Sequence, residues 1–459
     1  MTRVVVRTSV RWAACGQFGL STLLLQIAKL WPFTHWFTMH FLTCVLRIMD
    51  SSSKKALVVL VGFLLGKAIG QTVPVPVGKL PSFNVYEKRV TLSGFSSGGT
   101  FAQMYQISHS STIHGIAVFS HTYYRCGPPS GKIDDYDKVC TKLFNQTGDK
   151  LYNPELVHKD IETYLYRGLI DDPVNLRHRF LYVYTGLRNF LFTADQSLSI
   201  LQVYERYIKN PHRIKTRVQD AELLLPTNNE FGVPCTERPD NTSFIGNCGF
   251  SGPYEALVFL HGSDHRMRET TGASKQSLMQ QLKMFDQREF VTGLKNPQLD
   301  MVGYYFVPTT CERRRCLLHI YFHGCLTGRQ FEGTKHIEQS GFLEIAEASD
   351  MILIFPQAVM SEPQNDIGCW DTFGISGELY ATKRGDQITA VKRMVDRALG
   401  KGTLSSSSSS SGQIWFNNKQ DATSFAQEGQ KGGWSHHNQY GGGGRGKQKY
   451  RAGYGHYYG

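Results

Sequence analysis

No two of the ten cysteines in this 459-residue chain stand in a C-x-x-C pair, so the spacing used by most structural zinc sites is missing. Acidic residues are absent from residues 1–48, which carry five Lys/Arg. A clean membrane span is also missing there: Lys29, Pro32, His35 and His40 interrupt "LSTLLLQIAKLWPFTHWFTMHFLTCVL", and a spanning helix needs about 20 largely apolar residues. The net charge of +12 does not point to nucleic acid. Residues 71–400 hold 35 basic and 35 acidic residues, so the excess sits wholly at the two ends. A neutral body with basic ends supports at most weak binding to acidic surfaces.

Residues 49–70 have the three parts of a secretory signal peptide: Lys54-Lys55, an apolar run from Ala56 to Leu65, and a small-x-small site at Ala68 and Gly70. A buried helix is the competing reading of that run. Residues 1–48 then stand upstream of a segment that should be N-terminal. They read as a non-native extension from a mis-assigned start, with Met49 the initiator, and a membrane anchor is the rival. Beyond residue 70 an even set of cysteines remains: Cys126, Cys140, Cys235, Cys248, Cys311, Cys316, Cys325 and Cys369. After a signal peptide an even count reads as disulfides rather than zinc. Proximity pairs Cys126 with Cys140, Cys235 with Cys248 and Cys311 with Cys316, leaving Cys325 with Cys369. Asn145 and Asn241 head N-x-[ST] sequons beside or inside those loops, the glycosylation pattern of a secreted chain.

Buried-looking strands alternate with helical segments through 71–400. Residues 84–92 read as a strand and 99–108 as a helix with Phe101, Met104 and Ile107 on one side. Further strands are expected within 113–124, where the strand runs into a loop, at 180–186, and in the apolar runs 317–324 and 351–358, each ended by turn residues, with helices at 196–208, at "FLEIAEAS" and at 386–399. Such alternation predicts a doubly wound, mainly parallel sheet in one large domain. After it comes a serine-rich linker over 401–411, then a Gly/Tyr-rich basic tail over 412–459 that cannot build a core. His436 and His437 in that tail read as a solvated pair rather than a metal site.

The chemistry begins at "SGFSSGG", residues 93–99. Gly94-Phe95-Ser96-Ser97-Gly98 fits G-x-S-x-G, a strand-to-helix turn that exposes a serine hydroxyl. "YFHGC", Tyr321 to Cys325, is similar to the strand and loop that supply the second oxyanion amide of an α/β-hydrolase, yet it follows the elbow instead of preceding it. A circular permutation would produce that order. With "VFSHTYYRC", "FDQREF", "VPTTC", "IFPQA" and "GCWDTFG" in matching sequence, the chain resembles the extracellular poly(3-hydroxybutyrate) depolymerase family and its animal relatives. The resemblance implies a circularly permuted α/β-hydrolase fold, Ser96 as nucleophile, the amides of Ser97 and Cys325 as oxyanion donors, and Trp370 among the cleft aromatics. It implies an ester or polyester-like ligand and neither cofactor nor metal.

Two positions depart from the family pattern. The turn after "YVYTG" should end in the triad aspartate, and Asn189 stands there; the histidine of an H-x-x-P-T pattern is replaced by Leu223. Leucine neither takes nor returns a proton, and an Asp-to-Asn change in such a triad costs ~10⁴ in rate. Asp195, Glu222, His109, His114 and His121 are the nearby groups able to substitute. The expectation is a secreted, catalytically weakened relative that acts as a binding module for an ester-like ligand or an extracellular matrix component. The alternative is an active serine carboxylester hydrolase with a base outside the pattern. Stable membrane insertion and nucleic-acid binding are not expected.

Overall fold

The computed structural model describes residues 77–142, 153–239, 244–262 and 265–401, all in one compact unit. The segments expected to be an extension (1–48), a signal peptide (49–70), the linker beyond Lys401 and the tail (412–459), and the sequons at Asn145 and Asn241, lie outside the described residues.

The first half of the chain forms β1 (Val90–Phe95), β2 (Ile113–Phe119), β3 (Phe180–Gly186) and β4 (Ile214–Gln219). A small sheet follows, built from β5 (Leu225–Thr227), β6 (Val233–Pro234) and β7 (Ile245–Asn247). The second half adds β8 (Leu282–Asp286), β9 (Val302–Phe306), β10 (Leu317–Phe322) and β11 (Met351–Phe355). The main sheet runs β4-β3-β2-β1-β10-β11-β9-β8. It is parallel from β4 to β11, and β9 is antiparallel to both β11 and β8.

At its centre β1 lies beside β10, with Thr91 opposite His319 and Gly94 opposite Phe322. Each half of the chain therefore supplies one half of the sheet. Counted from β8 through the join, with the small sheet set aside, the strands read 1-2-4-3-5-6-7-8 across it. That is an α/β-hydrolase sheet whose chain begins at the fifth strand, the permutation expected from the order of the two motifs.

Every residue of β1, β10 and β11 is buried, which follows from helices covering both faces. On one face pack α1 (Ser97–Ser108), α3 (Pro154–Tyr166), α4 (Ala194–Tyr204) and α7 (Asp386–Ala398); on the other lie α5 (Gly252–His261) and α6 (Phe342–Ala348). The short α2 (Ile133–Cys140) sits near the C-terminal end of the sheet. All four disulfides pair as proximity suggested: Cys126–Cys140, Cys235–Cys248, Cys311–Cys316 and Cys325–Cys369. Among the described residues no helix is long and apolar enough to cross a membrane.

Some boundaries differ from expectation. The first strand starts at Val90, because Glu87–Arg89 forms a 3-10 turn and residues 84–86 before it make only an isolated bridge, Val85 with Cys316. The strand beginning at Ile113 does run into a loop, after Phe119, where Ser120 takes a positive φ of 57° and turns the chain out of the sheet. The α4 helix begins earlier than expected, at Ala194, because Thr193 and Gln196 form a reciprocal capping box.

Candidate active site

β1 delivers its last residue, Phe95, to the C-terminal edge of the sheet, and Ser96 follows with φ 51° and ψ −127°. A serine there is strained by about 1–3 kcal/mol, so its surroundings must hold it. They do: Ser96 N–H donates to the Phe119 carbonyl at 2.9 Å, and the Ser96 carbonyl accepts from Gly99 N–H at 2.8 Å. The glycines are required by space. A Cβ on Gly94 would overlap the Gly98 carbonyl, and a Cβ on Gly98 would overlap the carbonyl oxygens of Phe322 and His323. The elbow is thus pressed against the end of β10, which brings the "YFHGC" loop to Ser96.

That loop is held from several sides. His323 is buried, and its Nε2 accepts the Ala358 N–H at 3.0 Å. Its proton therefore sits on Nδ1 and is donated to the Gly324 carbonyl at 2.7 Å. Burial pushes its pKa down to about 4, which keeps the ring neutral. Thr327 Oγ1 accepts the Gly324 N–H at 2.8 Å, and Leu326, at φ 63°, donates its N–H to the Ile367 carbonyl at 2.8 Å. The Cys325–Cys369 bond closes the loop onto the segment leading to Thr372 and Phe373. Among the described residues no group takes the N–H of Ser97 or the N–H of Cys325.

Ser96, Ser97 and Cys325 line one narrow pocket with a cavity volume of about 50 Å³, room for some 3–5 waters. Its walls are mainly apolar, with Phe95, Phe190, Phe192, Leu223, Phe244 and Phe373 among them. Among the described residues no side chain hydrogen bonds to the Ser96 hydroxyl.

Asn189 and Leu223 come from adjoining segments. Leu187 N–H donates to the Gln219 carbonyl at 2.8 Å and Arg188 N–H to the Ala221 carbonyl at 2.9 Å, tying the turn after β3 to the chain that leads to Leu223. Asn189 is fully buried, and its Oδ1 accepts the N–H groups of Leu191 (2.9 Å) and Phe192 (3.1 Å). Its Nδ2 is buried without a hydrogen-bond partner. Leu223 is 3% exposed and forms part of the pocket wall.

Of the five groups named as substitutes, only His121 reaches the pocket. Asp195 is exposed in the first turn of α4, and Glu222, whose carboxyl is pushed up by burial, is not part of the pocket lining. His109 caps the far end of α1 and His114 lies near the start of β2, at the opposite edge of the sheet.

Trp370 does not line the pocket. It is fully buried, stacked on Phe101 at 4.3 Å and edge-on to Phe322 at 5.1 Å. The cleft contact expected of it passes to Thr372 and Phe373, because the indole is drawn into the core between α1 and β10.

The strand order, the strained serine elbow and the loop facing it define an α/β-hydrolase fold. No family model matches the chain. It is similar to the poly(3-hydroxybutyrate) depolymerase of Delftia acidovorans, 23% identical over 327 residues, covering 69% of this chain and 61% of that protein. It is also similar to the polyhydroxybutyrate depolymerase of Talaromyces funiculosus, 25% identical over 333 residues, covering 68% of this chain and 90% of the relative. The chain thus spans less than two thirds of the bacterial relative and most of the fungal one.

Among solved structures, the PHB depolymerase from Penicillium funiculosum matches with a TM-score of 0.61 at 24% identity. A serine-to-alanine variant of a PHB depolymerase complexed with an R3HB trimer matches with a TM-score of 0.61 at 23% identity. Each match covers 71% of this chain and 100% of the other. The chain has the fold of these depolymerases and resembles them at the level of the family.

Proposed function

We propose that this protein is a secreted ester-binding α/β-hydrolase in which Ser96 is the nucleophile, the Ser97 and Cys325 amides form the oxyanion site, and turnover is weakened. The observation that carries the reading is the buried pair Asn189 and Leu223. At the acid position Asn189 uses its oxygen to cap a turn and leaves Nδ2 without a partner; at the base position a leucine side chain fills the wall. The elbow and the oxyanion loop, in contrast, keep the strain, hydrogen bonds and untaken N–H groups that acyl transfer uses. Such a site stabilises an oxyanion without an efficient proton carrier, and a residual ~10³–10⁴ over water is the scale for hydrolases stripped of their triad.

The ligand inferred is a short hydroxyalkanoate-like ester, supported by the apolar pocket walls and by the relative solved with an R3HB trimer. Four disulfides fit an extracellular setting. An ester-binding role in the matrix is consistent with that setting. The test is the rate at which a fluorophosphonate probe labels the protein, beside calorimetric titration with a 3-hydroxybutyrate trimer. Slow labelling confined to Ser96 and lost in Ser96→Ala is expected, together with trimer binding. Labelling as fast as that of an intact-triad esterase would overturn the weakened reading. No labelling at all would overturn the nucleophile.

A further inference from the structure

One imidazole shares the pocket with Ser96, and its surroundings prepare it as a base. His121 follows β2, the strand next to the one that ends just before Ser96, and it lines the same pocket. The residue before it, Ser120, has a positive φ of 57° and is fixed by its N–H donating to the Tyr184 carbonyl at 2.8 Å. This is an unusual backbone state for a serine, of the kind that clusters at functional sites. The ring is packed against Phe192 with centroids 4.5 Å apart and stacked toward Tyr136 at 6.1 Å.

Thr100 sets the tautomer. It lies in the first turn of the elbow helix that begins just after Ser96. Its hydroxyl donates to the Thr122 carbonyl at 2.9 Å. That carbonyl is itself anchored by Gln103 Nε2 at 2.9 Å. With its own proton committed, Thr100 Oγ1 accepts from His121 Nδ1 at 2.6 Å. The ring proton is therefore on Nδ1, with the Thr122 carbonyl as a further acceptor for the ring, and the lone pair is on Nε2.

We propose that His121 is the general base for Ser96 in this chain, with Thr100 as its positioning residue, in place of the imidazole absent at Leu223. The assignment rests on the hydrolase reading above and deepens it. Nε2, directly or through one cavity water, takes the Ser96 hydroxyl proton as Oγ bonds to the acyl carbon. When the ester C–O bond breaks, the imidazolium gives that proton to the departing alkoxide, leaving an acyl ester on Ser96. Water then attacks with the same proton route, releasing the acid and the free serine. A neutral threonine in place of a carboxylate stabilises the imidazolium poorly. Burial also pushes the His121 pKa down to about 3, far from the value best matched to neutral pH. Both features agree with a slow enzyme.

The test uses the full chain and measures the second-order rate of Ser96 acylation by p-nitrophenyl acetate. His121→Ala, with an unchanged circular dichroism spectrum, should lower that rate by about 10²-fold, and added imidazole should restore part of it. In the unsubstituted protein the rate should be flat from pH 6.5 to 8.5, since a base of low pKa is already deprotonated. An unaltered rate in folded His121→Ala overturns the proposal while leaving the hydrolase reading intact. So does a wild-type rate that climbs tenfold per pH unit, the mark of hydroxide acting without a base. If His121→Ala fails to fold, the pH profile decides alone. Absence of any Ser96 acylation overturns both readings.

Discussion

Asn189 Oδ1 accepts the Phe192 N–H at 3.1 Å, and the Phe192 ring packs against His121 with centroids 4.5 Å apart. Asn189 is therefore tied to His121, the proposed base, through one backbone bond and one ring contact. Asn189→Ala should show this link. It removes two acceptor contacts to buried N–H groups, a loss of about 1–3 kcal/mol per orphaned group, and it loosens the wall that holds His121. Denaturant melts should register the lost stability. Ser96 acylation should slow in the same variant, whereas an unchanged rate in a folded protein would show that Asn189 has no bearing on the site.

Trp370 separates a core role from a cleft role. Its indole is stacked on Phe101, and its Nε1 is buried without a hydrogen-bond partner, so replacement by phenylalanine loses volume but no polar contact. Trp370→Ala should cost about 3–5 kcal/mol, and Trp370→Phe distinctly less. Affinity for a 3-hydroxybutyrate trimer should be nearly unchanged in Trp370→Phe. A large affinity loss without a stability loss would return Trp370 to the cleft.

Acid should unfold this protein through its buried histidines. Burial pushes His121 and His319 down to about 3 and His323 to about 4, against about 6.5 in an unfolded chain. Above pH 6.5 both states are neutral and the stabilisation is fully present. As pH falls toward 4 the unfolded chain binds protons that the folded state refuses. Each histidine then removes about 1.4 kcal/mol per pH unit, or about 4 for the three together. Buried Asp371 and half-buried Glu344, whose carboxyls are pushed up by desolvation, offset part of this because the folded state takes their protons first. The melting temperature should be level from pH 7 to 8 and fall steeply below pH 6. A level value down to pH 4 would contradict the assignment of neutral rings.

The Cys325–Cys369 bond joins the loop carrying the proposed oxyanion amide of Cys325 to the segment of the pocket wall beyond Cys369. Replacing both cysteines with serine should lower stability by about 2–4 kcal/mol. It should also slow Ser96 acylation more than the loss of the Cys311–Cys316 bond does, since that bond lies before the start of β10, at the far end of the sheet. Equal effects of the two replacements would show that the bond serves stability alone.

The parts of this fold that were legible in the sequence are those where one physical signal dominates. "FLYVYTG" is apolar, β-branched and aromatic, and β3 spans it from end to end. "DQITAVKRMVDRAL" has a single apolar stripe, and α7 covers it to within one residue. "IKTRVQ" gave no comparable signal because β4 is an edge strand whose residues are only half-buried or exposed. The antiparallel β8 and β9 were likewise unread, since their burial depends on β11, far along the chain. At the site, the Gly spacing of the elbow was readable because backbone overlap leaves no alternative. The Thr100–His121–Thr122 bonding was not, since it depends on a turn at Ser120 that brings two separate elements together.

Restoring Asn189→Asp together with Leu223→His tests the weakened reading directly. The new carboxylate would keep the Leu191 and Phe192 N–H bonds through one oxygen and present the other where Nδ2 now lacks a partner. The two segments are already joined by the Arg188–Ala221 bond, so an imidazole at 223 would enter the pocket beside that oxygen. Each single change should do little. A buried carboxylate without its imidazole is a cost, and an imidazole without its carboxylate has no orienter. Together they should raise hydrolysis of a short activated ester by about 10²-fold or more, the scale of general-base assistance. The gain should exceed the product of the two single effects, which is the signature of groups acting as a unit. A folded double variant with no gain would mean that positions 189 and 223 do not correspond to the acid and base of the depolymerases.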